Sequence, residues 1–324
     1  MPVHQGNGNI KQPKSTQPGI NLILTILLFA VSIAIYPVSS NAAAPSEDSE
    51  KHIVMSMPGS DVQMGAASSS IPILVPPGRN GIQPNLALSY SSSNKRSGLL
   101  GVGWDLSLGY IQRNSRFGLN YSDNENDNPF IVSMEGASGE LVHLGDSCYG
   151  LEIEGAFYKF YFNQGANYWE VTSRDGIKYY FGLNTDHNNS PTNSRQTDPS
   201  NSSRVFKWCL DKVMDTNGNY MEISYVKISN EIYPNIISYT GNSSTGLNPA
   251  YFVKFHLENH REVADPIQPA PYYNPGFKVI PSKRIKTIEV LYGTTLVRAY
   301  SLSYDTSSDK HIAFPHPYLS NVKG

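Results

Sequence analysis

The sequence predicts an all-β chain of antiparallel hairpins arranged as a meander, on three observations. Beyond about Lys51 no stretch keeps helical spacing, because Pro, Gly or an Asn/Ser cluster interrupts nearly every helix-length window. Short runs rich in Val, Ile, Tyr and Phe recur between turn residues, as strands require. The composition agrees: 21 Tyr and 12 Phe stand beside only 16% charged residues, against roughly 25% in an ordinary soluble domain.

The chain opens with a different pattern. Ile20 to Ile35 is an apolar run broken only by Asn21, Thr25 and Ser32, preceded by Lys11 and Lys14 and followed by Pro37 and small residues. Charge, apolar core and small residues in that order predict a secretory signal peptide over residues 1–42, cut after Ala42. An uncleaved anchor is the alternative, since the run approaches a short span. Residues 43–59 read as a flexible linker. Either alternative places the rest of the chain outside the cytoplasm: secreted or extracellular, with periplasm and cell surface as further destinations. No membrane contact is expected beyond the leader. In an oxidising compartment Cys148 and Cys209 could form a disulfide or stay as two separate thiols, and both readings stand.

The strands follow in order. Leu86–Tyr90, Phe157–Phe162, Tyr168–Val171 and Ile177–Phe181 come first, then Tyr220–Val226, Ile236–Tyr239, Tyr251–Leu257, Ile285–Tyr292 and Leu296–Tyr304. In the last, Leu296, Arg298, Tyr300, Leu302 and Tyr304 share one face, the alternation of a two-faced sheet. Asp215-Thr-Asn217-Gly218-Asn219 sits between two such runs, and Asn217-Gly218 predicts a type I′ hairpin with positive φ at both positions. Arg174-Asp175-Gly176 predicts a turn of the same kind, and Gly293 marks the last hairpin. Asn184–Ser203 reads as one long exposed loop, and Asp265–Pro281 as a proline-rich irregular stretch.

Charge and chemistry exclude several classes. A formal charge of -2 provides no field for nucleic acid. Two cysteines make neither a disulfide scaffold nor a zinc site. His256 and His260 lack the Glu placement of a zinc-protease motif. Glu152-Ile-Glu154 matches a two-letter fragment of arginine-directed ADP-ribosyltransferases, but alternating Glu on a wet strand face explains it more simply. Asp123, Glu125 and Asp127 could bind calcium, yet Asn128 and Met134 occupy the positions where an EF-hand has Gly and Glu. Gly101-Val-Gly103 lacks the remainder of a nucleotide fingerprint. The expectation is no catalytic residue, no cofactor and no metal.

One segment is far more specific. It runs from Ile71 through Pro76-Pro77-Gly78-Arg-Asn-Gly81-Ile-Gln-Pro84-Asn-Leu86-Ala-Leu88-Ser-Tyr90 to Ser93, then Gly98-Leu-Leu100-Gly101-Val-Gly103-Trp104-Asp-Leu106. This resembles the opening of the SpvB domain, which also begins the B component of insecticidal toxin complexes. The resemblance continues through Trp169–Gly182, Trp208–Tyr225 with its Asp-x-Asn-Gly-Asn turn, Tyr233-Pro, Tyr239-Thr-Gly-Asn242, Arg284–Tyr292 and Val297–Tyr304, and defines a β domain over residues 60–318. Residues 319–324 then read as the truncated start of a following element. The signature concerns shape. Its glycines mark sharp turns or close packing, its prolines hold extended ends, and Trp104 offers a large buried anchor. Asn94–Ser97 departs from the smaller, Gly-rich loop of relatives.

The resemblance implies a non-enzymatic structural module of an exported toxin or virulence protein. B components build part of an extended β-sheet shell that encapsulates and delivers a toxic partner. Expected partners are therefore other β-rich toxin-complex or RHS-type components, or further copies of the chain. Family members can act in the host cytoplasm. The alternative is a stand-alone exported β-rich binding module for a cell-surface or host ligand.

Overall fold

The computed structural model describes residues 59–61, 66–94, 97–116, 118–121, 130–183, 193–260, 270–305 and 318–323. The leader, Ala42, the linker before residue 59 and the acidic stretch 123–127 lie outside them. No helix occurs among the described residues, as the interrupted sequence pattern requires. The strands are β1 (Gly59–Asp61), β2 (Ala66–Ile73), β3 (Leu86–Ser91), β4 (Ser97–Gly98), β5 (Gly101–Val102), β6 (Trp104–Asp105) and β7 (Tyr110–Arg113). Next come β8 (Phe130–Met134), β9 (Ala137–Gly145), β10 (Cys148–Leu151), β11 (Lys159–Asn163), β12 (Tyr168–Thr172), β13 (Lys178–Phe181) and β14 (Arg195–Asp198). The last are β15 (Asn201–Met214), β16 (Asn219–Ile228), β17 (Glu231–Asn242), β18 (Tyr251–Asn259), β19 (Lys283–Tyr292), β20 (Thr295–Asp305) and β21 (Tyr318–Lys323).

Strands β7 to β13 form a continuous antiparallel meander, and β15 closes it by pairing with both ends. Its Lys207–Cys209 segment pairs with β7, and Leu210–Met214 pairs with β13. The result is an eight-stranded barrel, just wide enough for side chains to fill. Aromatic rings fill it here. The Trp169 ring lies 4.9 Å from Phe130, 4.7 Å from Phe162 and 5.0 Å from Tyr149, mostly edge to face. Trp208 completes the cluster and satisfies its indole N–H on the Asn167 carbonyl at 3.0 Å.

From β15 the sheet runs on as β16-β17-β18-β19-β20-β21. A separate four-stranded sheet, β1-β2-β3-β6, packs against it. Ile71, Ile73, Leu86 and Leu88 share one hydrophobic cluster with Ile237, Val253, Ile288, Val290 and Leu302. The tip of the tiny β4–β5 hairpin also enters this core: Leu100 is fully buried, and the Leu99 carbonyl accepts the Ile285 N–H.

Several expectations need correction. The 184–203 stretch is not one exposed loop. Its described part supplies β14 and the start of β15, with Ser194, Gln196 and Asp198 buried. Phe157 does not begin a strand; it precedes β11, exposed and at φ 56°. Glu152 and Glu154 follow β10 in a bend instead of alternating along a strand. Trp104 is half-buried, its ring tilted against Tyr90 at 5.4 Å; the fully buried tryptophans among the described residues are Trp169 and Trp208. Residues 318–323 pair with β20, which leaves the reading of 319–324 as the start of a following element untouched. Of the two readings left open for Cys148 and Cys209, the structure has separate thiols.

Candidate interaction site: the signature hairpin and its seat

The signature residues converge on one construction. Arg79 and Ile82 pair across Asn80 and Gly81, at φ 50° and 79°, so the type I′ turn of the chain's Asn-Gly pairs is this one. Gly81 needs freedom for positive φ. Gly78 is needed for a different reason: a Cβ there would stand 2.0 Å from the Ile82 carbonyl oxygen, closer than any side chain permits. Gln83 Oε1 accepts the Gly78 N–H at 2.7 Å. Pro84 is buried at the hairpin's exit while Pro77 stays exposed, and Leu86 and Leu88 carry the chain into the core.

The hairpin is keyed into the turn between β15 and β16. Asn80 Nδ2 donates to Asp215 Oδ2 at 2.9 Å. The buried Asp215 carboxylate also accepts the Asn217 N–H at 2.9 Å, the Asn219 N–H at 2.8 Å and Asn219 Nδ2 at 2.8 Å. Burial alone would raise the Asp215 carboxyl, but the hydrogen bonds from Asn219, Asn80 and Asn217 outweigh it and hold the group below the usual carboxylate range.

This fourfold acceptor also explains a further correction. Asn217-Gly218 is not a type I′ turn: the Gly218 N–H bonds the Asp215 carbonyl and only Gly218 has positive φ, 80°. It is a three-residue loop, a type I turn followed by a left-handed glycine. The Asp175-Gly176 turn repeats that geometry, with the Gly176 N–H on the Ser173 carbonyl. Among the described residues, the other two-residue turns with positive φ at both positions are Asp146-Ser147 and Ser229-Asn230, which contain no glycine.

Three more contacts seat the segment. Arg79 Nε donates to the Thr240 carbonyl at 2.9 Å, where Thr240 itself sits at φ 74° beside a bulge. Tyr239 Oη donates to the Pro76 carbonyl at 3.1 Å, and Tyr300 Oη accepts the Leu74 N–H at 2.8 Å. Gly98 and Gly101 pair with each other in the β4–β5 hairpin, and Gly103 lies under the Tyr90 ring. From sequence, Arg79 and Asn80 stood only inside the signature string, Tyr239 only in the matched Tyr239–Asn242 segment and Tyr300 only on a strand face; none carried a seating role, although the Asn80-Gly81 dipeptide is itself a hairpin signal.

Other candidate groups do not converge. His256 is exposed and pairs with Glu289 at 2.8 Å, while His260 is buried past the strand end. Glu154 Oε1 accepts the N–H groups of Ala156 and Phe157. Burial pushes the Cys209 thiol up to about 12. Among the described residues no group of three or more His, Cys, Asp and Glu is placed to hold a metal ion, and no helix is long and apolar enough to cross a membrane.

The likeness to known proteins follows this architecture. The TcdB2-TccC3 crystal structure matches with a TM-score of 0.65 at 18% identity, over 83% of this chain and 16% of that one. The N-terminal domain of effector protein SpvB from Salmonella typhimurium strain LT2 matches with a TM-score of 0.59 at 19% identity, over 78% of this chain and 97% of that one. The Photorhabdus luminescens Tc holotoxin pore matches with a TM-score of 0.62 at 18% identity, over 83% and 15%. At these identities the likeness is one of fold, and the chain spans less than a fifth of the toxin-complex chains. No curated protein matches the sequence. The family described as Salmonella virulence plasmid 65kDa B protein matches residues 61–146 and 151–246, more than half of the chain, including the keyed hairpin with its Asp215, Tyr239 and Thr240 contacts. The chain belongs to the SpvB family.

Proposed function

We propose that this chain is a non-enzymatic structural module of an exported toxin or virulence system, contributing sheet to a shell built with other toxin-complex components. The observation that supports this most is the sheet itself. One end is closed as a barrel, and the other stops on β21, which pairs with β20 alone among the described residues. A row of unpaired N–H and C=O groups is a template for a strand of another chain. Family membership and the fold likeness to toxin assemblies support a toxin-related β-rich role. The charged, apolar and small residues of the leader support export.

The test combines light scattering after size exclusion, alone and mixed with a recombinant toxin-complex C component, with assays of NAD consumption and actin modification. A stable larger species without turnover is the expected result. A monomer that consumes NAD or modifies actin overturns the scaffold reading. A monomer inert in every arm overturns the shell role and leaves a stand-alone binding module.

A further inference from the structure

Five of the eleven exposed large apolar side chains among the described residues fall between positions 142 and 161: Val142, Leu144, Ile153, Phe157 and Tyr161. Val142, Leu144 and Tyr161 lie on the outer side of the barrel. Val142 and Leu144 alternate on β9 with inward Leu141. Leu144 lies across β10, its Cδ1 3.1 Å from where a Cβ of Gly150 would stand. Tyr161 on β11 is paired to Cys148 of β10, and Ile153 and Phe157 occupy the connection between those strands.

Phe157 is held outward against its own backbone preference. It stands at φ 56° and is 68% exposed, a conformation uncommon and strained for a bulky residue. Glu154 fixes it by accepting the Phe157 N–H at 2.6 Å and the Ala156 N–H at 3.2 Å. A strained aromatic kept in water marks a surface shaped for something other than the fold's own stability.

The charge around this surface says what fits. Asp146, Glu152, Glu154 and, opposite Tyr161, Glu170 border it, against Lys159 and Lys178, and Lys178 is already paired with Glu170 at 2.7 Å. We infer that the outer face of β9, β10 and β11 is a docking surface for a protein partner that carries apolar anchors inside a basic rim. A second copy fits badly, because a two-fold face would set these carboxylates against themselves. The surface lies on the barrel and does not involve the open edge at β21, so the inference is independent of the shell role.

The test uses the full secreted chain and a labelled peptide alternating Leu with Lys, with a Leu–Glu peptide as control. The Leu–Lys peptide should bind, weaken with added salt, and lose about tenfold or more in affinity in L144S/F157S, as for removed interface anchors. Circular dichroism should be unchanged, since both side chains are exposed. Tyr292→Ser, which removes another exposed ring outside this surface, should leave binding intact. Equal binding by wild type and L144S/F157S, or an equal loss in Tyr292→Ser, overturns the proposal. So does a patch variant that changes only self-association in light scattering, or only binding to phosphatidylglycerol vesicles.

Discussion

Asp215→Asn isolates the bond between the signature hairpin and its seat. The substitution preserves shape but turns Oδ2 into an amide nitrogen, which then faces the Nδ2 donors of Asn80 and Asn219, both within 2.9 Å. Two charge-assisted hydrogen bonds are lost and donors are set against donors in a buried site, a cost of about 3 kcal/mol. For a domain of this size that lowers the melting temperature by about 6–12 °C. The pH dependence sharpens the test. The folded carboxyl is depressed, so its contribution is present above the unfolded value of about 3.9 and disappears as pH falls through the lower folded value. The gap between wild type and Asp215→Asn, followed by thermal melts, should therefore narrow on acidification below about pH 4. Adding Asn80→Ala should reveal a coupling of about 1 kcal/mol. A gap constant from neutrality into acid, or strict additivity with Asn80→Ala, would refute the keyed carboxylate.

Two glycines of the same hairpin should separate by mechanism. Gly78→Ala meets the Ile82 carbonyl and should cost more than about 3 kcal/mol or abolish soluble expression, whereas Gly81→Ala meets nothing and should cost only about 1 kcal/mol of backbone strain, read by denaturant unfolding. Gly218→Val combines positive φ with a clash on Ser244 Oγ and should lower stability by about 2 kcal/mol; an unchanged melt refutes the left-handed glycine. Native protein should react with one thiol reagent equivalent, at half-buried Cys148, and unfolded protein with two, because Cys209 is buried and its thiol pushed up to about 12.

The later strands were legible where they alternate: Tyr300 and Leu302 are buried while Ser301 and Ser303 face out, but a bulge at Val297 takes Leu296 off the face predicted for it and leaves it 55% exposed. Barrel closure was not, because the pairing of β15 with β7 and β13 is made by backbone groups, which carry no side-chain signature. The polar strand β14 was missed for a related reason. Gln196 is buried through hydrogen bonds to the Asn230 carbonyl and Tyr272 Oη, and hydropathy reads such a residue as solvent-facing. The signature was visible as a string, but its physics was not. That Arg79 and Asn80 reach Thr240 and Asp215 depends on contacts across more than a hundred residues.

Closing the meander on β15 gives the long ladder a polarity. A sheet with two open margins can be a middle section, and any number can be laid side by side. A sheet rolled shut at one margin can only be a terminus, in the way a capped filament grows from its uncapped end alone. The remaining one-sided strand, β14, is four residues long and is held down by Lys227 and Gln196, so it offers little foothold. Among the described residues the margin that would admit a further strand, from this chain or another, is the one at β21, while the rolled margin admits none. Strand pairing of this kind therefore stops the ladder at the rolled margin by topology, with no need for a dedicated stop signal.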